Sequence, residues 1–578
     1  MLTKRGIAAL LMLLVHGTLA VLTAAQPPSS IVRLYRDLTR MTALDLFDGT
    51  VLVARGEEIL LYQGYGLADR EHEVAFAPDT ISTIGSITKQ FTAAAILALE
   101  EQGKLTVEDP LSEFFADLPG DKSGITLHQL LTHTAGMPDA LGEDEVWIDR
   151  DALLGQVWAA ELASEPGSEY SYSNVGYSVL AAVIERVSGQ RYEVFLHETF
   201  FNPLGMAETG YLIPQFDPAR LAIGYRNDVR WGTLLEKQDL ERGISWHLVG
   251  NGGIHSTARD MHRWLRSLRT QEILTDDSTA KLFGRHVSEG DESSFYGYGW
   301  VTFHLPNGET MIGHNGGNGY LFEDLNFFPH RGDLTFYLMV NDERAGEAVS
   351  GYIVRVLTGQ EVAAPPELHP LSTFKMEKLT GTYVLASGEE LSVWPTDPGI
   401  ELETPSWQVQ ATVYGDAVAP FEELEAMSRE TGRIVQGIVD GDLRPLFKAY
   451  GEKPSLEKLQ QIYGERLGNW EEEHGEVKGA TVLGTLPHSR GFRTWVRIDF
   501  ADGSIYQAWA WRGGSLAGWG PRDGPPPQIF YPVGPSDFAS FSLAGGGSAR
   551  VVFGKDDEGT STLRIGVEPN SLVAKRLD

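Results

Sequence analysis

Thr83-Ile-Gly-Ser-Ile-Thr-Lys-Gln-Phe-Thr92 opens a run that stays apolar through Phe91, Ala94, Ala95, Leu97, Ala98 and Leu99 and stops at Gly103. The spacing predicts a long helix over Ile87 to Gln102, apolar on most sides and therefore buried, with the glycine where a left-handed terminal residue belongs. Ser86 then stands at the helix N-terminus, where unpaired N–H groups and the helix dipole favour negative charge. Lys89, one turn on, shares its face, so hydroxyl and amine come within hydrogen-bond reach. Ser-x-x-Lys recurs at Ser278 to Lys281, Ser372 to Lys375 and Ser455 to Lys458, and so short a pattern arises by chance at about that rate. Only the copy at Ser86 opens a buried helix. Taken alone, Ser86 reads equally well as an ordinary helix cap.

Two later segments add weight to the chemical reading. Tyr172-Ser173-Asn174 follows the turn Pro166-Gly167 and precedes a helix, so a phenol that can relay a proton and an amide that can donate and accept project from a loop. His314-Asn315-Gly316-Gly317 follows the predicted strand Met311-Ile312-Gly313, and glycines on a strand let a substrate backbone or an oxyanion approach closely. Each has an ordinary counterpart: a surface aromatic beside an N-cap asparagine, and a glycine turn with a surface histidine.

Composition narrows the classes of function. The 578 residues are too many for one core, and the 42% hydrophobic and 22% charged shares match soluble globular domains. A net charge of −32 repels phosphate backbones and anionic lipid, which sets nucleic-acid binding aside. With no cysteine in the chain, disulfides, thiolate catalysis and cysteine-zinc sites are excluded. Lys4 and Arg5, the apolar run Gly6 to Leu22 and the small residues Thr23, Ala24 and Ala25 form the pattern of a signal peptide, residues 1–25, cleaved after Ala25. The protein is expected to be periplasmic or secreted, with no stable membrane span once the signal is removed. No ligand-spaced cluster of His and carboxylates appears, so neither metal nor organic cofactor is implied.

Working outward from Ser86, Ile31 to Leu44 has helical spacing through Val32, Leu34, Leu38, Met41 and Leu44, and Val51-Leu-Val-Ala54 with Ile59-Leu-Leu-Tyr62 reads as a hairpin around Arg55-Gly56-Glu57-Glu58. More helix is predicted at Leu127 to His133 and Gly176 to Val187, and strands return at Trp300 to Leu305, Thr310 to Gly313, Leu325 to Phe328 and Leu334 to Val340. Strand, helices, then strands implies an α+β domain whose antiparallel sheet is completed by both chain ends. Gly359 to Pro370 lacks periodicity and is proline-rich, so residues 361–370 read as a linker. Beyond it, residues 371–578 form an accessory region. Phe421 to Leu467 is helical, and Lys478 to Trp519 alternates as a curved sheet with one apolar face would.

The three segments in this order resemble the penicillin-recognising, β-lactamase-like serine hydrolases: class C β-lactamases, D-alanyl-D-alanine carboxypeptidases, D-aminopeptidases and related esterases. Ile125-Thr-Leu-His-Gln-Leu-Leu-Thr-His-Thr-Ala-Gly-Met-Pro138, Gly252-Gly-Ile-His-Ser-Thr-Ala-Arg-Asp260 and Tyr296-Gly-Tyr-Gly-Trp300 extend the likeness over residues 31–360. It implies a β-lactamase/penicillin-binding-protein-like fold, Ser86 as acyl-enzyme nucleophile, Lys89 as proton relay and Tyr172 as the base-like hydroxyl. Asn174 would orient Lys89 and the substrate amide. His314 and Gly316 would form the third element, with the N–H groups of Ser86 and Gly317 as oxyanion hole. His314 stands where β-lactamases usually place a lysine, which lowers the weight of penicillin hydrolysis. His133 and His255 are assigned structural roles, with no partner that the sequence names. Leu379-Thr-Gly-Thr-Tyr383 resembles the start of the small β-module that trails such hydrolases. That module would span residues 371–415 and 524–578, with an α+β insert of nuclear-transport-factor type at 416–523. Two classes remain open: a hydrolase acting on an ester or amide in a small molecule or peptide, such as a D-residue peptide, an acyl ester or a β-lactam, and a non-catalytic envelope protein that binds peptidoglycan-like peptides.

Overall fold

Alternation along the strands explains why the central sheet buries both faces. On the strand Gly49–Arg55 (β1), Val51 and Val53 point into one apolar cluster and Leu52 and Ala54 into another. The strand Leu334–Val340 repeats the pattern with Phe336 and Leu338 on one side and Tyr337 and Met339 on the other. A strand covered on both faces reads as a continuous apolar run, as these two do. The computed structural model describes residues 28–577 apart from 227, 291, 405–408, 410–420, 452–454, 489–490, 523–527, 542, 544–548 and 567–570. The expected signal segment lies outside the described residues.

With Glu58–Tyr65 as β2, Val287–Ser288 as β3, Ser294–Tyr296 as β4, Val301–His304 as β5, Thr310–Gly317 as β6, Phe322–Phe328 as β7 and Leu334–Val340 as β8, the eight-stranded antiparallel sheet runs β2-β1-β8-β7-β6-β5-β4-β3. Both chain ends complete it, since β1 pairs with β8 from Gly49 opposite Val340 to Arg55 opposite Leu334. The turn between β1 and β2 holds Gly56 at φ +56, a conformation open to glycine at no steric cost. On one face lie the helices α1, Ser29–Ala43, and α6, Glu343–Thr358; on the other lie α2, Thr88–Glu101, α3, Leu127–Leu131, α4, Asn174–Ser188, and α5, Ala258–Arg269. The inward stripe of α1 is Ile31, Leu34, Leu38 and Met41, while Val32, expected on it, is 53% exposed. Ile31 rather than Val32 is in phase with the other three at helical spacing.

Helix α2 is buried from Thr88 through Leu99, with Phe91 packed on Phe201 and Trp264. It ends at Gly103, at φ +66. Of its buried polar side chains, Lys89 and Thr92 are held by internal partners, and Gln90 Oε1 accepts from the Trp264 indole.

After α6, residues 359–370 run without regular structure along α1, tied by Arg33 donating to the Val362 carbonyl and Arg40 to Glu367. The strands Gly381–Leu385, Glu390–Pro395, Ile400–Glu403, Gln528–Pro532, Asp537–Ser540, Arg550–Lys555, Ser561–Ile565 and Leu572–Arg576 then close into a barrel, Tyr383 pairing with Arg576. Closure leaves no free edge. Between its third and fourth strands, which pair directly, the chain makes the helices Phe421–Val439, Arg444–Ala449 and Leu456–His474 and a separate four-stranded antiparallel sheet over Val477–Arg522. That sheet carries apolar groups on both faces: Val496, Trp509 and Trp511 on the helix side, Leu483, Trp495 and Ala508 on the other. The barrel region meets the hydrolase-like domain where Phe541 and Leu543 pack on the α1/α6 cluster.

Candidate active site

Backbone pairing sets the nucleophile segment first. Ser82 and Thr83 pair with Ser256 and His255, the Ile84 N–H donates to the Ile254 carbonyl at 2.8 Å, and Gly85 turns at φ +51. A single 3-10 turn, Gly85–Ile87, then feeds α2. Ser86 is partly exposed on this turn, whereas Lys89, one turn on, is 0% exposed. Of the other Ser-x-x-Lys copies, Ser455 accepts a cap bond from the Lys458 N–H, the ordinary use of such a serine.

Lys89 Nζ sits 3.0 Å from Ser86 Oγ, 2.7 Å from Asn174 Oδ1 and 2.9 Å from the Asn251 carbonyl oxygen. The Asn174 amide is oriented by donating from Nδ2 to Asp139 at 2.9 Å, which leaves its oxygen for the lysine. Burial lowers the Lys89 pKa to about 7, with the charges of Asp139 and Asp144 pulling the other way. A neutral amine has two N–H groups and one lone pair. Asn174 and Asn251 can only accept at these atoms, so in the neutral form the lone pair faces the Ser86 hydroxyl. That is the arrangement a base needs toward a nucleophile.

The Tyr172 ring lies under this amine, its centroid 4.8 Å from Nζ. Burial raises the phenol pKa, and its hydrogen bond with Ser86 pulls it back only in part, so at neutral pH the phenol keeps its proton. The loop that carries it is fixed by His133, whose Nδ1 accepts from the Ser173 N–H at 3.0 Å. This is the partner that the sequence could not name. His133 is buried among Tyr170, Tyr172, Tyr177 and Tyr296, ring centroids 4.2 to 5.9 Å away, and burial with the Lys89 charge holds it neutral. Helix α4 starts immediately after, capped by the Ser173 hydroxyl accepting from the Gly176 N–H.

His314 faces the same cluster. Its Nδ1 donates to the Asn315 carbonyl at 2.6 Å, which leaves Nε2 to accept from the Tyr296 hydroxyl at 3.1 Å. Burial and Lys89 lower its pKa to about 4, so it brings no positive charge at neutral pH. His314 to Gly317 belong to β6 itself, which runs past the strand expected from the sequence and keeps its pairing to β7 as far as Gly317 opposite Phe322. The glycines are required by contact. A Cβ on Gly316 would lie 2.1 Å from the Ile84 oxygen and 2.7 Å from the Ser86 nitrogen, and one on Gly85 would lie 2.7 Å from the Gly317 nitrogen. The Ser86 and Gly317 backbones are thus pressed together at the nucleophile.

The structure therefore brings Ser86, Lys89, Tyr172, Asn174, His314, Gly316 and Gly317 into one cleft. His255 lies apart from the Lys89 cluster, its backbone paired to Gly210 and Thr83 and its ring on Phe216. Asn251 was not foreseen. Its side chain donates to Ser178 and to the His247 carbonyl, both at 2.8 Å, and this fixes the carbonyl that holds Lys89. The surrounding Gly250-Asn-Gly-Gly253 is the only signal that points to it. Glu323, opposite Gly316 in the register, was also missed. It is fully buried and accepts from the Ser82 hydroxyl, bracing the strand that leads to Ser86.

A family model described as Beta-lactamase matches residues 40–359. Penicillin-binding protein 4* of Bacillus subtilis (strain 168) is 28% identical over 384 residues, 62% of this chain and 84% of that protein. The putative penicillin-binding protein PbpX of the same strain is 33% identical over 254 residues, 44% of this chain and 62% of that protein. Among solved structures, the octameric penicillin-binding protein homologue from Pyrococcus abyssi superimposes with a TM-score of 0.53 at 18% identity, over 94% of this chain and 99% of that one. That likeness of fold runs through the accessory region. The chain belongs to the β-lactamase family of serine hydrolases.

Proposed function

We propose that the protein hydrolyses an ester or amide through an acyl-enzyme on Ser86, with D-residue peptides or small acyl esters as the substrate class. The observation that carries this is the buried Lys89 amine, 3.0 Å from Ser86 Oγ with its two other partners both acceptors. In the proposed sequence neutral Lys89 takes the Ser86 proton as Oγ attacks the carbonyl, and the N–H groups of Ser86 and Gly317 receive the oxyanion. Tyr172, which keeps its own proton, relays one to the departing group and is recharged from Lys89. Water then attacks the acyl carbon by the same route and releases Ser86. The base role thus falls to Lys89 rather than to Tyr172. A neutral His314 supplies no charge for a β-lactam carboxylate, which favours peptide and ester substrates over penicillins. Two oxyanion donors contribute several kcal/mol to such a reaction, about 3 kcal/mol each in measured cases.

We place the activity outside the cytosol, on the strength of the charged, apolar and small-residue succession over residues 1–25. N-terminal sequencing of the exported protein is expected to begin at Gln26. The substrate class is tested by offering peptides ending or beginning in D-alanine, para-nitrophenyl acetate and a penicillin to the wild type and to Ser86→Ala. Release of D-alanine or nitrophenol that vanishes in the variant supports the proposal. Equal release by both proteins contradicts it, and binding without release would leave the peptide-binding envelope protein as the better account.

A further inference from the structure

We propose that Glu343 selects substrates carrying a positive charge, by presenting its carboxylate across the end of β6 from Ser86; the inference rests on the hydrolase reading above. A cavity of about 420 Å³ opens there, lined among others by Arg226, Asn315, Gly317, Phe322, Glu343 and Glu347. Successive residues on a strand point to opposite faces. A Cβ on Gly316 would press on the Ser86 nitrogen, whereas one on Gly317 would come 2.8 Å from Glu343 Oε1. One thickness of side-chain-free backbone thus separates the reacting serine from the Glu343 carboxylate, and a substrate lying over the strand end reaches both.

Glu343 is held for this purpose. It opens α6 and its carboxylate accepts from the Gly319 N–H; burial raises its pKa, and that hydrogen bond and the charge of Arg226 pull it back in part. The guanidinium of Arg226 is itself drawn over the Tyr320 ring, 5.9 Å from the centroid. The charges that act on the reacting residues have the same sign. Asp139 and Asp144 act on Lys89, and Glu289 acts on Tyr170 and Tyr172. His314 is neutral, so the charges acting on Lys89, Tyr170 and Tyr172 are those of carboxylates. Low-dielectric walls focus such a field, attracting cations and repelling carboxylates.

Two isosteric ester pairs test the inference on the full-length protein. In one the charge is on the acyl side, para-nitrophenyl ε-aminocaproate against para-nitrophenyl heptanoate. In the other it is on the leaving side, acetylcholine against neohexyl acetate. Within at least one pair kcat/KM is expected to favour the cation by about tenfold at low salt, as one charged partner in a half-buried site allows. The ratio should fall toward unity in Glu343→Gln, recover in part in Glu343→Asp, and shrink as salt is added to the wild type. Ratios are taken within each protein, so a general loss of activity cancels, and the salt series needs no variant at all. Absence of preference in both pairs, or a preference untouched by Glu343→Gln, overturns the inference while leaving the hydrolase reading intact. Absence of turnover of all the esters by the wild type contradicts the hydrolase reading itself and removes this inference with it.

Discussion

Lys89 in the catalytic cleft and Gln507 in the four-stranded sheet of the accessory region are both polar side chains at 0% exposure, and they are treated in opposite ways. Lys89 has hydrogen-bond partners from three different segments, at Ser86, Asn174 and Asn251. Among the described residues, neither amide atom of Gln507 has a hydrogen-bond partner, nor does the neighbouring Trp509 indole on the same face. A buried polar group without partners costs about 1 to 3 kcal/mol, whereas a fully partnered one specifies a geometry. The contrast separates buried polarity that organises chemistry from buried polarity that only subtracts stability.

The most severe way to probe the first half of that contrast is Lys89→Ala, which removes the base and is expected to lower kcat/KM for para-nitrophenyl acetate about a thousandfold or more. Retention of activity within tenfold would show that the cluster is structural. Gly316→Ala comes next. Its Cβ would collide with the Ile84 oxygen and crowd the Ser86 nitrogen, and displacing the oxyanion donor there costs about a hundredfold in kcat. Steady-state kinetics with the same ester checks it.

A gentler lever is pH. Lys89 accepts the serine proton only when neutral, and its pKa is held at about 7. Below that point kcat/KM is therefore expected to fall about tenfold for each pH unit, with the limb absent from the residual activity of Lys89→Ala. An acid limb that stays at the same pH in that variant would assign the ionisation elsewhere. The smallest effect belongs to the other half of the comparison. Gln507→Leu removes two unsatisfied atoms, so it should stabilise the accessory region by about 1 to 2 kcal/mol in denaturant unfolding and leave kcat/KM unchanged. Destabilisation would show that the amide has a partner role.

The sequence made the layered fold legible because burial on both sheet faces leaves a local trace: Val51-Leu-Val-Ala54 is apolar throughout and Leu334 to Val340 is apolar but for Thr335. Ser86, Lys89, Tyr172, Asn174 and His314 were legible for another reason, since each carries a reactive or hydrogen-bonding group at a spacing that can be read. Asn251 escaped because it acts through a backbone carbonyl, which every residue possesses. Glu323 and Glu343 escaped because their importance comes from lying beside Gly316 and Gly317, a relation between strands and helices far apart in the chain. The phase of α1 was misread by one residue, Val32 for Ile31, because both are apolar and only the partner surface chooses between them. Barrel closure through Tyr383 and Arg576 has no local signature either.

The chemistry of the cleft turns on Ser86 forming the acyl-enzyme. Intact-protein mass spectrometry after incubation with a fluorophosphonate probe tests it most directly, because Oγ displaces fluoride and the adduct mass remains on the chain. One adduct is expected on the wild type and none on Ser86→Ala. An adduct that persists in Ser86→Ala, or a folded wild type that takes up no probe at neutral pH, would contradict it.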